Sequence, residues 1–277
     1  METDKPDTGV FDNGKFKLRL NQTIIKALSN FNMAEPSFCP SQVRQCNFSD
    51  SPCESIPTDA MRKGIVFETL ALDLPESERS TIPLLKNGNV SADYERVIKQ
   101  AAKFKEMKKE HEIMIYERQQ LIEVPYSDEI TIFGTLDFVS TFRENETTFH
   151  PKAIVDLKLT GNVFNTFGDF SWAFPFNMDH TQAFMYTMLY KMAFNEDLPF
   201  FYMVYDYSPS MNMKIFKKKV GSMEIAQLHE SIRKSVEKIR YFDENGWIEI
   251  PEYKRCQTCP VNSTCASFTN KQKIEII

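Results

Sequence analysis

Residues 153–161 read Ala153-Ile154-Val155-Asp156-Leu157-Lys158-Leu159-Thr160-Gly161, an apolar run that carries an acid and a lysine two positions apart and stops at Thr-Gly. As a strand, its period-two alternation puts Asp156 and Lys158 on one face and Val155, Leu157 and Leu159 on the other. Two readings account for opposite charges at adjacent same-face positions. One is a cross-strand ion pair at a sheet edge. The other is chemistry, with a metal-binding carboxylate beside a lysine that handles a phosphoryl group.

Outward from that strand, the acids recur in apolar surroundings. Tyr116 to Pro125 and Ile130 to Thr141 read as two strands across a turn at Tyr126–Glu129, and the second carries Asp137 within Gly134-Thr135-Leu136-Asp137-Phe138-Val139. Ser91 is a natural N-cap for a charged helix from Ala92 to about Glu112, with Val97, Ala101 and Phe104 facing inward. Thr58 to Leu72 is a further helix with Met61, Ile65 and Leu72 at helical spacing. Glu68 falls on that same face, three residues after Ile65 and four before Leu72. Downstream, Phe164, Phe167, Phe170, Trp172, Phe174 and Phe176 crowd the segment Gly161–Phe176. They fit core or lid packing, or a stacking surface for unpaired bases. Asp179 can cap a helix from His180 to Asn195 that presents Gln182 and Tyr186 on one face, and His180 beside it is a candidate phosphate contact. Pro199–Tyr207 and Met211–Val220 read as a strand pair, and Ser222–Phe242 as an amphipathic helix.

A chain of 277 residues, 42% hydrophobic and 26% charged, has the composition of a soluble protein with a sizeable core. Its formal charge of -5 does not announce nucleic-acid binding, although Lys105–Lys109 and Lys217–Lys219 are local basic patches or solvated faces. No apolar run approaches a membrane span and the N-terminus is acidic, so no membrane association and a cytoplasmic, intracellular setting are expected. There, six cysteines point to metal ligands or free thiols rather than a disulfide framework. Cys39, Cys46 and Cys53 lie among Ser, Pro, Asn and Asp, a composition expected to form loops and turns. The tail spacing Cys256-x2-Cys259-x5-Cys265 is one ligand short of a Cys₄ site. On spacing alone it favours zinc over iron–sulfur, and thiolates hold either.

Glu68, Asp137, Asp156 and Lys158 together supply the parts for phosphodiester hydrolysis. Divalent cations take oxygen ligands but few protein carboxylates, leaving positions for water and a phosphate. The segments Gly64-x-x-x-Glu68, Gly134-Thr135-Leu136-Asp137, Ile154-Val155-Asp156-Leu157-Lys158-Leu159-Thr160-Gly161 and Gln182-x-x-x-Tyr186 occur in that order. In them, over about residues 60 to 190, the chain resembles the PD-(D/E)XK nuclease superfamily, specifically its RecB-like and lambda-exonuclease-like branches. The resemblance implies an α/β fold in which a central mixed β-sheet is flanked by helices, the restriction-endonuclease-like core. It also implies that Glu68, Asp137 and Asp156 ligate Mg²⁺ or Mn²⁺ together with the Leu157 carbonyl. Lys158 would be the catalytic lysine, and Gln182 and Tyr186 would steady the substrate strand. Many RecB-like members carry His where Glu68 stands, so that position leans to the exonuclease-like side.

Iron–sulfur members of the RecB-like branch, including CRISPR-adaptation nucleases and helicase-nucleases, place one distant cysteine before the core and a close trio after it. By that resemblance Cys39, Cys256, Cys259 and Cys265 would hold a [4Fe–4S] cluster. Cys46 and Cys53 are rivals for the first position and Zn²⁺ is the alternative occupant. The expected organisation is an N-terminal cysteine-loop segment (1–56), a nuclease core (57–245) and a C-terminal cysteine segment (246–277), the two ends joined in a cysteine-ligated cap. The expected function is a Mg/Mn-dependent deoxyribonuclease, an exonuclease acting on DNA ends or single strands in recombination, replication or repair. The chain has no phosphate-binding G-x-x-x-x-G-K-[ST] loop, so unwinding would come from a partner such as a helicase or recombination protein. A compact nuclease of this kind suits a phage or mobile element. The competing reading is a non-catalytic DNA-binding or scaffold module stapled by zinc.

Overall fold

A computed structural model describes residues 11–12, 15–32, 38–49, 57–165, 171–250, 256, 259–261 and 265. The elements in chain order are β1 (Phe11–Asp12), β2 (Lys15–Phe16), β3 (Leu18–Leu20), α1 (Gln22–Ser29), α2 (Pro40–Asn47), α3 (Asp59–Leu72), α4 (Ala92–Glu110), β4 (Ile115–Pro125), β5 (Ile130–Arg143), β6 (Phe149–Thr160), α5 (Thr181–Phe194), β7 (Phe200–Asp206), β8 (Met213–Lys218) and α6 (Ser222–Asn245). They fall into two compact units, one of Pro57–Ile122 with Thr135–Ser222 and one of Met1–Ile56, Glu123–Gly134 and Met223–Ile277.

The first unit is built on a mixed sheet. Strand β6 pairs antiparallel with β5 through Phe138↔Val155 and Ser140↔Ala153, and parallel with β7 from Ile154↔Phe200 to Thr160↔Asp206. Strand β8 adds antiparallel to β7, and β4 pairs with β5. The stretch that carries Asp156 and Lys158 is therefore interior, which removes the edge-strand explanation of their charges. All seven residues of β7, Phe-Phe-Tyr-Met-Val-Tyr-Asp, are buried, as a strand covered on both faces requires.

On one face of this sheet, Phe138, Val155, Leu157, Phe201, Met203 and Tyr205 pack against Val66, Phe67 and Ala71 of α3 and Val97, Ala101 and Phe104 of α4. Each such side chain contributes roughly 1.5–3 kcal/mol by leaving water. Helix α4 buries the face expected of it. Ser91 caps it through the Tyr94 N–H, with Asp93 and Glu95 in its first turn and Lys108 and Lys109 in its last, the charge order its dipole favours. Helix α3 buries a different stripe from the Met61–Ile65–Leu72 one. Val66 and Phe67 are inside, whereas Met61 is 48% exposed. Apolar residues occur on both candidate stripes of this helix, and contact with the sheet chooses between them. Helix α5 covers the opposite face. Asp179 Oδ1 accepts the Thr181 N–H at 2.8 Å, and the helix ends at Asn195 in the left-handed region at φ 57, where Asn is well tolerated.

In the second unit, β3 runs parallel to the start of β5 through Leu18↔Ile130 to Leu20↔Ile132. Helix α6 buries Leu228, Ile232, Val236 and Ile239, and Ser235 Oγ donates to the Ile25 carbonyl at 3.0 Å. The cysteine stretch expected as loops contains a helix, α2. Pro40 occupies its first turn directly after Cys39 at the N-cap, the position where a missing N–H costs least. No helix among the described residues is long and apolar enough to cross a membrane.

Candidate active site

Strand β6 delivers Asp156 and Lys158 to the α5 face. Asp156 is fully buried, and its Oδ2 lies 2.5 Å from Lys158 Nζ. Its Oδ1 accepts Gln182 Nε2 of α5 at 2.7 Å. Apart from the ion pair, Oδ2 has no hydrogen-bond partner. Asp137 stands on β5, one residue past the Phe138↔Val155 pair, and its Oδ2 accepts the Leu157 N–H at 2.8 Å. Glu68 arrives from α3 and hydrogen-bonds Asp137, an arrangement that needs a proton shared between two carboxyls. Tyr186 is buried one turn beyond Gln182, and its phenol meets the Gln182 side chain. The four segments picked out in the sequence thus supply neighbouring groups.

Burial raises the pKa of Asp156 to about 7, against the pull of Lys158 and with the help of Asp137. Burial also raises Asp137 to about 7, reinforced by Glu68 and opposed by Lys158 and the Leu157 N–H. Glu68 is shifted up as well, by burial and by Asp156, with Lys158 opposing. For Lys158, burial acts downward, but the charges of Asp156 and Asp137 overcome it and hold the ammonium above the usual lysine range. Three carboxyls that resist ionisation around one ammonium form a site short of positive charge. Among the described residues no group of three or more His, Cys, Asp or Glu side chains is gathered as a ready ligand set. The carboxyls are held instead by Lys158, Gln182, Gln119 and one another.

Two residues of this neighbourhood left no sequence signal. Gln119 Nε2 donates to Glu68 Oε1, and Gln119 adopts a left-handed backbone (φ 48) inside β4, a conformation costing about 1–2 kcal/mol for a residue with a Cβ. A Gln-Gln pair in an ordinary strand gives no hint of that. Asp206, buried at the end of β7, accepts the Val163 N–H at 3.1 Å and the Asn212 N–H at 2.9 Å, tying down the turn after Gly161. His180 is spent on the loop, its Nε2 2.6 Å from the Pro175 carbonyl oxygen.

In the second unit, Cys39, Cys256, Cys259 and Cys265 are half-buried thiols. Cys259 is raised by burial first and then by Cys39, Cys256 and Cys265, so these thiols are close enough to act on one another. The Ile250 N–H points at Cys39 Sγ at 3.5 Å, and the Val261 N–H meets Cys259. Cys46 is in a disulfide and drops out as a rival to Cys39. Cys53 lies outside the described residues, as do Phe167 and Phe170.

A family profile, the PD-(D/E)XK nuclease superfamily, matches residues 53–266. Among solved structures, a candidate exonuclease from Eubacterium rectale is 15% identical over 86% of this chain and 90% of that one, with a TM-score of 0.50. An alkaline exonuclease from Laribacter hongkongensis is 12% identical over 80% and 94%, with a TM-score of 0.32. At that identity the first likeness speaks to the fold alone. No curated protein matches the sequence.

Proposed function

This chain belongs to the PD-(D/E)XK nuclease superfamily, and we propose that it is a Mg²⁺- or Mn²⁺-dependent DNA exonuclease with its active site at Asp156. The observation that carries the reading is the crowding of Glu68, Asp137 and Asp156, with Asp156 Oδ2 buried and met only by the Lys158 ammonium. Oxygen donors in that state fit a hard divalent cation. Glu68, Asp137, Asp156 and the Leu157 carbonyl would hold it. When bound, such a cation supplies a water of lowered pKa and stabilises charge on the scissile phosphate.

The chain's own groups do the rest. Asp156 and Asp137 hold the Lys158 ammonium above the usual lysine range, and beside the metal Lys158 would hold a phosphate oxygen or orient or deprotonate the attacking water. Gln182 fixes the Asp156 carboxylate, and Tyr186, whose pKa burial raises, stays a neutral phenol able to steady the substrate strand. Cys39, Cys256, Cys259 and Cys265 would hold a [4Fe–4S] cluster, with Zn²⁺ the alternative. Backbone N–H groups aimed at Cys39 and Cys259 are the donors a thiolate-ligated centre uses. The protein would then act on DNA ends or single strands in recombination or repair, in the cytoplasm, with unwinding left to a helicase or recombination partner.

Two experiments test this reading. Purified protein is incubated with end-labelled linear DNA and with closed circular DNA in Mg²⁺ or Mn²⁺. Degradation of the linear form alone is expected; cutting of circles would make it an endonuclease. Cleavage that survives both Asp156→Ala and Lys158→Ala would sink the site, and absence of any cleavage would favour the scaffold reading. For the cysteines, anaerobic purification with metal analysis is expected to give a brown protein with about four irons per chain. One zinc and no colour would make the centre a staple of the other kind.

A further inference from the structure

We infer that the surface over β7 and β8, beside the Asp156 site, is a track for one unpaired DNA strand, formed by Lys214 and Lys218 with Phe164, Phe174 and Phe176. This rests on the nuclease reading above and names the form of substrate that site receives.

The register sets the lateral distance. Asp156 pairs with Tyr202, and Tyr202 with Phe216, so the three form one row across β6, β7 and β8. Asp156 and Tyr202 in that row are buried and Trp172 packs on Tyr202 and Phe216, so the track runs over this cover and not on the strands themselves. Alternation along β8 puts Lys214 and Lys218 on the face of Phe216 and Lys217 on the other, where Lys217 Nζ meets Glu144 at 2.6 Å. With neighbouring strands about 4.8 Å apart, the row reaches roughly 10 Å from Asp156 to β8, about three nucleotides at the rise of a stacked strand.

The aromatic cluster after Gly161 divides into two sets on this face. Trp172 is buried, stacked on Phe216 at 5.7 Å and edge-on to Tyr202 at 5.3 Å. With Ser171 Oγ on the Asn165 carbonyl at 2.6 Å and His180 Nε2 on that of Pro175 at 2.6 Å, it anchors residues 171–177. The anchored segment nevertheless leaves Phe174 54% and Phe176 95% exposed, and Phe164 beside it 56% exposed. Core packing does not explain rings held in water by a well-fastened support. The lysines make only neutral contacts. Lys214 Nζ lies 4.1 Å from the Phe164 ring and 3.3 Å from the Val163 carbonyl, and Lys218 Nζ lies 5.3 Å from the Phe184 ring. Neither has a carboxylate in an ion pair among the described residues.

Exposed rings and cations without carboxylate partners, on the β8 side of the proposed phosphodiester site, match a single strand: phosphates take the lysines and bases stack on the rings. A duplex hides its base faces and would gain nothing from Phe174 or Phe176. The occupant is therefore an unpaired strand, not a protein segment.

The test is fluorescence anisotropy with a labelled oligothymidine and a blunt duplex, in Ca²⁺ to prevent turnover. Phe174→Ala/Phe176→Ala is expected to weaken single-strand binding about tenfold or more while duplex binding stays within about twofold. Lys214→Ala/Lys218→Ala should weaken it at low salt and flatten the salt dependence by about 0.7 per lost phosphate contact. Lys217→Ala is the control expected to bind as wild type. Should the double Phe variant melt early, Phe176→Trp replaces it, since indole fluorescence there must be quenched on binding. Unchanged single-strand affinity, or an equal loss for duplex, overturns the track. Wild-type hydrolysis of bis(p-nitrophenyl) phosphate in Mn²⁺ is read separately. Its absence, with Phe-dependent binding intact, would overturn the nuclease reading and leave the track standing.

Discussion

Asp156 and Asp206 stand on the neighbouring strands β6 and β7, and both are completely buried. Asp206 is saturated. Its Oδ1 accepts the Ser208 N–H, the Ser208 hydroxyl and the Asn212 N–H at 3.3, 2.7 and 2.9 Å. Its Oδ2 accepts the Val163 N–H and the Asn212 amide at 3.1 and 3.3 Å. Asp156 has one amide donor and one ammonium, and faces Asp137 and Glu68. A buried carboxylate surrounded by donors fixes a loop. One surrounded by other acids costs folding free energy unless a cation joins it. Under the proposed function, the difference separates a structural acid from a chemical one.

The comparison breaks first at the chemistry. Asp156→Asn and Lys158→Ala should each lower DNA hydrolysis by at least about 10²–10³-fold, measured as initial rate at saturating metal. Asp156→Asn should leave the metal-free protein as stable as wild type or more so, because it removes a charge from a crowded site. An equally inactive but strongly destabilised Asp156→Asn would mean that Asp156 is structural too.

Asp206→Ala should do the reverse. Stripping the donors of their acceptor is expected to cost about 2–4 kcal/mol of stability, read by denaturant titration. Metal-dependent hydrolysis at low temperature should fall far less than in the Asp156 variant.

The third test uses pH. Asp156 and Asp137 rise from an ordinary value of 3.8 to about 7, so the folded state holds protons that the unfolded state releases. Between about pH 4 and 7 the folded form binds more protons, and stability falls as pH rises through that window. Metal-free melting temperature should therefore drop from pH 5 to pH 8, and Mg²⁺ or Mn²⁺ should restore it at the alkaline end. A melting temperature indifferent to both would sink the crowded-carboxylate account.

The smallest effect sharpens the role of Gln119. Gln119→Gly removes the left-handed strain at φ 48, worth up to about 1 kcal/mol, but loses the hydrogen bond to Glu68. A slightly raised melting temperature with kcat/KM reduced severalfold is expected. Unchanged kcat/KM would reduce Gln119 to a bulge in β4.

Much of this site was legible from residue order. The period-two pattern of 153–161 put Asp156 beside Lys158, and single acids at 68 and 137 in apolar segments were anomalies before any coordinate. The α3 stripe was not legible, because Met61 and Ile65 are as apolar as Val66 and Phe67, and only contact with β6 and β7 chose between them. The helix after Cys39 was hidden by Ser and Asn, although Pro40 marked its start. Gln119 and Asp206 were invisible, since an amide in a strand and an acid at a strand end are ordinary in composition.

Sequence alone determined the strands β4 to β8 and the helices α4 to α6, and that Asp156 and Lys158 share a face, because alternation and helical spacing are local properties of the backbone. It likewise pointed to the nuclease superfamily, through the order of four short motifs. Only the tertiary structure decided that β6 is interior, that Asp156 is buried short of donors while Asp206 is not, and that Cys46 is otherwise engaged. Those are questions of which distant groups share one small volume. Burial and Coulomb energies depend on that volume, and no local pattern encodes it.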